Sequence, residues 1–159
     1  RIGAVGEPLQ LRYGTVEIGR PDGSTRLDSG NSTYLTTGIY VAVPITFIAA
    51  HEPQAPAYVA IRDTEGRVFE AGSNRNPFSI GGQVQAGIPR HTQAAVELPV
   101  DAVPGALLVF ALQPIDENHR RDDVAVIDLG LTEADAQEWA ADDDGIRVEP
   151  ATEGLGERP

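Results

Sequence analysis

The chain holds three histidines, His51, His91 and His119, and they are the first candidates for chemistry. No two stand at a His-x-His or His-x3-His spacing, so no metal-ligand pair can be read from the sequence. Cysteine and methionine are absent, which removes the soft ligands that copper would draw on. Each histidine falls in or beside a predicted loop and reads as a surface side chain. The metal alternative is a site assembled in space, such as His119 with Asp116 or Asp122. Asp116, Glu117, Asp122 and Asp123 offer hard oxygen ligands, but Arg120 and Arg121 offset their field and no calcium-loop register is present. Asp142-Asp143-Asp144 has the charge density for weak calcium binding, and reads equally well as a solvated linker.

Nucleophilic catalysis finds less support. Ser24, Ser29, Ser32, Ser73 and Ser79 all lie outside any Gly-x-Ser-x-Gly elbow. Lysine is absent, so Schiff-base and P-loop chemistry are excluded. No catalytic residue, cofactor site or metal site is therefore assigned, and the chain is read as a non-enzyme. What remains is recognition. Tyr40 and Tyr58 lie opposite the apolar faces of their predicted strands and are expected to meet on an outer sheet surface. The irregular stretch from Gly72 to Gly87 contributes Asn74, Asn76 and Phe78, since long loops often carry function. Trp139, the sole tryptophan, has two readings: an exposed anchor for a partner, or a side chain packing a helix onto the sheet edge.

These residues need a frame. A chain of 159 residues suits one domain with its own core, without disulfides or a structural metal. The formal net charge of −12 opposes binding to nucleic acid or an anionic membrane surface. No apolar run approaches the ~20 residues of a spanning helix. The chain begins at Arg1 without methionine and is expected to be part of a longer product. Its upstream segment would then carry a signal peptide, a lipobox or a membrane helix.

Strand-like segments follow one another over Ile39–Ala49, Ala57–Asp63, Arg67–Ala71, Gln93–Pro99, Leu107–Leu112 and Asp123–Leu129. In the first, Ile39, Val41, Val43, Ile45 and Phe47 fall on one face with strict period two. Pro44 on its other face predicts an edge or a bulge. Pro8–Ile18 reads as one strand bent at Gly14, where the alternation changes phase. Arg20–Ser24 and Asp28–Ser32 read as loops. Asp63–Gly66 makes a hairpin turn, and the run Leu107–Leu112 is apolar on both faces, as in a central strand. Thr132 caps a short helix reaching Trp139, and Ile146–Val148 is a last strand. The domain thus spans 8–148, after a lead-in over 1–7 and before an acidic, disordered tail over 149–159.

The alternating strand Tyr40–Phe47, the Asp63-x-x-Gly66-Arg67-Val68-Phe69 hairpin, Pro104-Gly105-Ala106 and Val126-Ile127-Asp128-Leu129-Gly130 together resemble an immunoglobulin-like family of extracytoplasmic domains. The resemblance covers roughly Pro8 to Leu131. Members are often bacterial lipoproteins, membrane-anchored proteins or secreted proteins, actinobacterial immunoprotective extracellular proteins among them, and many have no known function. The resemblance implies an all-β, immunoglobulin-like antiparallel β-sandwich with one short C-terminal helix. It also implies export, to a secreted or membrane-anchored position outside the cell, and it transfers no catalytic residue. The expected partner is a protein or cell-envelope component; the alternative is a small ligand, glycan or divalent metal.

Overall fold

The computed structural model describes residues 1–71, 82–112 and 123–154. Its smaller sheet contains β1 (Ile2–Ala4), β6 (Tyr58–Arg62), β7 (Val68–Glu70), β9 (Leu107–Ala111) and β10 (Ala125–Asp128). Their order is β1-β10-β9-β6-β7. Its larger sheet is built on β5 (Ser32–Ala49), a strand of 18 residues. β8 (Arg90–Leu98) lies along one side of β5, with Ile39 opposite Leu98 and Phe47 opposite Arg90. Along the other side run two strands in tandem, β3 (Gly14–Ile18) and then β4 (Asp22–Ser29). Pro44 sits where β3 gives way to β4. Its carbonyl accepts the Gly19 N–H at 2.9 Å, so the donor that proline lacks would point into that break. A central strand thereby tolerates a proline, and the expected irregularity is found without an exposed edge.

Ile39, Val41, Val43, Ile45 and Phe47 face Val59, Ile61, Leu108, Phe110, Ala125 and Ile127 of the other sheet in one hydrophobic core. Phe47 and Phe110 meet at its centre with ring centroids 5.5 Å apart. Mutual burial of these two apolar faces is the main force holding the sheets together. The all-β expectation agrees with this arrangement, but the sheets are mixed rather than purely antiparallel. β1 runs parallel to β10, and β11 (Ile146–Val148) runs parallel to β4. Both parallel pairs come from terminal segments added at sheet edges.

Those terminal segments correct the expected boundaries. Residues 1–7 are no frayed lead-in, because Ile2–Ala4 extends the smaller sheet. The supposed tail contributes β12 (Thr152–Glu153), antiparallel to β8; residues 155–159 lie outside the described residues. Pro8–Ile18 is also two strands: β2 (Leu9–Leu11) folds back on β3, with Leu9 opposite Val16 and Leu11 opposite Gly14. The phase change at Gly14 marks a reversal rather than a bend. The segments read as loops at Arg20–Ser24 and Asp28–Ser32 belong largely to β4 and β5, which are joined by a two-residue turn at Gly30-Asn31. Helix α1 (Glu133–Ala140) starts at the expected Thr132 cap, and Asp135 completes it into a full capping box.

Candidate interaction surfaces

The expected tyrosine face does not form. Tyr40 belongs to the larger sheet and Tyr58 to the smaller, so their outward faces lie on opposite sides of the molecule. Tyr40 is also buried. After α1 the chain follows β4 as β11, crosses the outer face of the larger sheet, and pairs with β8 as β12. This C-terminal strap covers a second apolar cluster of Leu27, Tyr40, Ala42, Ala95 and Ile146, with Val148 packed on it. Period two located Tyr40 on the outward face correctly, but local pattern carries no information about what lies over that face. Tyr58 is half-buried on the smaller sheet. Burial, then the Glu70 carboxylate beside it, push its hydroxyl above the ordinary tyrosine value.

Trp139 is no anchor for a partner either. It is buried in the main core and rests on Gly23 of β4, where a Cβ would lie 2.5 Å from its ring carbons Cδ2 and Cε3. The packing alternative describes it. Asn74, Asn76 and Phe78 lie outside the described residues, as do Ser73, Ser79, Asp116, Glu117, His119, Arg120, Arg121 and Asp122.

His91 departs from the surface reading. It is buried, with Nδ1 2.9 Å from Thr46 Oγ1 and Nε2 3.0 Å from the Gly154 carbonyl, and so fastens the end of the strap to β8. Arg90 adds an ion pair to Glu153 at 3.1 Å. Asp142 is likewise structural. Its carbonyl accepts from Thr25 N–H and Thr25 Oγ1, and its carboxylate accepts from Ser24 Oγ and Gly145 N–H. Among the described residues, no group of three or more histidine or acidic side chains converges to hold a metal ion.

Open grooves remain among the described residues, and two of them border the residues considered above. One, of about 290 Å³, is polar and lined by Arg12, Tyr13, His51, Glu52 and Gln54, with Leu112. Below it Asp123 accepts the Arg12 backbone N–H at 2.6 Å, and this bond leads the interactions that hold its carboxyl below the usual range. The other, of about 550 Å³, lies where the β4/β5 hairpin leaves the body of the sheet. Thr36, Thr37 and Gly38 form one wall, while Phe69, Leu98 and Val100 supply apolar surface. Beyond it the hairpin exposes Leu35 at 74% and Tyr34 at 37%. The sequence holds one signal for this site: Ser32–Ala49 is a run without a charged residue that begins at a Gly-Asn turn.

No protein-family model matches the chain, and the comparison with curated proteins found no match. Among solved structures, the yjhA protein from Bacillus subtilis, a structural-genomics target, matches with a TM-score of 0.51 and 13% identity. The match covers 79% of this chain and 99% of that one. At this identity the likeness shows the fold alone. No helix among the described residues is long and apolar enough to cross a membrane.

Proposed function

We propose that the chain is an exported or membrane-anchored immunoglobulin-like domain that serves as a non-catalytic protein-interaction module. The observation that carries this reading is the β4/β5 hairpin, which exposes Leu35 beside a groove that is open and partly apolar among the described residues. Large apolar side chains next to a groove suit protein contact better than chemistry on a small substrate. Support for the immunoglobulin-like assignment comes from the two-sheet frame around one core and the hairpin-rich connectivity. The acidic balance favours partners that are neutral or basic.

The test is made on the full-length protein in its own cell. An epitope tag at the C-terminus should be reached by antibody on intact cells. A photo-cross-linking residue at Leu35 should yield a discrete protein adduct there. A tag accessible only after lysis would overturn export, and adducts absent at Leu35 but present at Gln54 would overturn the surface. The second reading, a small polar ligand, draws on the groove around Arg12, His51 and Gln54. It predicts a dose-dependent rise in melting temperature with that ligand, abolished by Arg12→Ala.

A further inference from the structure

A further groove, of about 370 Å³, lies between α1 and the break where β3 gives way to β4. Its described lining is Arg20, Pro21, Asp22, Asp135, Glu138 and Trp139. The last three come from α1, where positions 135, 138 and 139 fall on one helical face. Trp139 is 6% exposed, and its Cγ, Cδ2 and Cε3 atoms rest on Gly23. A tryptophan so deeply placed normally gives its indole N–H to an acceptor. Here the Nε1–H takes no partner among the described residues. It is not sealed off from solvent, so it opens on the groove that the ring lines.

Two charged groups around that donor are equally uncommitted. Among the described residues, the side chains of Arg20 and Glu138 form no hydrogen bond or ion pair. They carry opposite charge and line one groove without bridging each other, which leaves room between them for a ligand with two charged ends. Asp22 spends Oδ1 on the Gly23 N–H at 2.8 Å, and Asp135 Oδ2 accepts the Thr132 N–H at 2.9 Å. Both still add negative charge to the rim. This set of groups is selective. A simple anion would meet three carboxylates, and a neutral molecule would leave both free charges unpaired. A simple cation would leave Arg20 and the indole N–H without an acceptor.

We propose that this groove binds a free α-amino acid, with a basic side chain preferred. The ligand's α-carboxylate accepts from the Arg20 guanidinium and from the Trp139 indole N–H, a pairing that suits the planar fork of arginine. Its α-ammonium group donates to the Glu138 carboxylate. The charge remaining at Asp22 and Asp135 favours a second positive group on the ligand, and the net charge of −12 attracts it from a distance. A volume of about 370 Å³ stands at the small end of ligand pockets and matches a molecule of this size. The site shares no described residue with the hairpin groove or with the groove around Arg12, so its test is independent of both readings above.

Trp139 is the sole tryptophan, so the ¹⁵N-labelled chain gives one indole N–H resonance, which reports on the donor itself. Titration with L-lysine should shift that resonance saturably by ~10 mM, the range expected for a ligand of so few atoms. Two analogues should bind at least about tenfold more weakly: 1,5-diaminopentane, which lacks the carboxylate, and L-glutamate, whose side chain has the wrong sign. Glu138→Gln should weaken L-lysine about tenfold, and Arg20→Ala should bring it down to the level of the diamine. Both variants should melt with the parent, because neither side chain bonds to a described residue. An indole resonance that L-lysine does not move overturns the proposal. So does equal binding of 1,5-diaminopentane, which would reduce the site to a plain acidic surface. Tighter binding of L-glutamate, or L-lysine binding that Arg20→Ala leaves unchanged, overturns it as well.

Discussion

Asp63 opens the β6/β7 turn with a side chain only 2% exposed, bound to the Arg67 guanidinium. It also accepts the Glu65 and Arg67 backbone N–H groups at 3.0 and 2.8 Å. Burial pushes its carboxyl up, but the Arg67 hydrogen bonds and charge, with the Glu65 N–H, outweigh that and hold it below the usual range. A carboxyl depressed in the folded state adds stability above the unfolded value of about 3.9, and loses it as pH falls through the lower folded value. Asp63→Asn should therefore melt below the parent at neutral pH, and the gap should close in acid; thermal melts across that range decide it. An unchanged gap in acid would mean that the carboxylate charge is not the cause. Gly23 tests the opposite kind of contact, steric rather than electrostatic. A methyl group at this position would lie 2.5 Å from ring carbons of Trp139. Gly23→Ala should therefore cost about 1–3 kcal/mol in urea unfolding, because the indole must shift.

At the scale of elements, the short helix α1 depends on its cap more than on its length. Thr132 Oγ1 accepts the Asp135 N–H at 3.3 Å, and Asp135 Oδ2 accepts the Thr132 N–H at 2.9 Å. A helix of 8 residues is too short to be stable alone, so its first-turn donors need these partners. Thr132→Ala should cost about 1 kcal/mol, seen as a lower urea midpoint at constant slope, and Thr132→Ser should recover most of it. This element was legible in the sequence because cap, acidic first turn and Trp139 are local signals. The period-two face Ile39–Phe47 and the Asp63–Gly66 turn were legible for the same reason. β4 was not: Asp22–Ser29 is polar and rich in turn-forming residues, and it is a strand only because β5 and β11 pair with it on both sides.

At the scale of the whole molecule, the first and last strands are joined to the body by pairings between residues distant in sequence, Ile2 with Val126, Ile146 with Leu27 and Thr152 with His91. β1 pairs with β10, and the strap from β11 to β12 crosses the larger sheet. Composition marks 149–159 as a tail because the stretch is acidic and nearly free of apolar side chains; the strap's two apolar anchors, Ile146 and Val148, stand just before it in the segment read as a last strand. Those anchors cover Leu27, Tyr40, Ala42 and Ala95, so the strap completes a second core on the face that looked available for recognition. Polar ties fix its path, among them Glu149 N–H to Gln93 Oε1 at 2.8 Å, Gly154 N–H to the Pro89 carbonyl at 2.9 Å, His91 to Gly154 O, and the Arg90–Glu153 ion pair. Ending the chain after Gly145 should remove both anchors and uncover the cluster. The buried Ile146 alone is worth about 1.5–3 kcal/mol, with less from the partly buried Val148, a large part of the stability of a domain this size. The truncated chain should show a clearly lower urea midpoint and increased binding of a hydrophobic dye. Val148→Asp in the intact chain should move both readouts in the same direction by less. If truncation leaves the midpoint and dye binding unchanged, the strap is not part of the fold and the Tyr40 face is open to a partner after all.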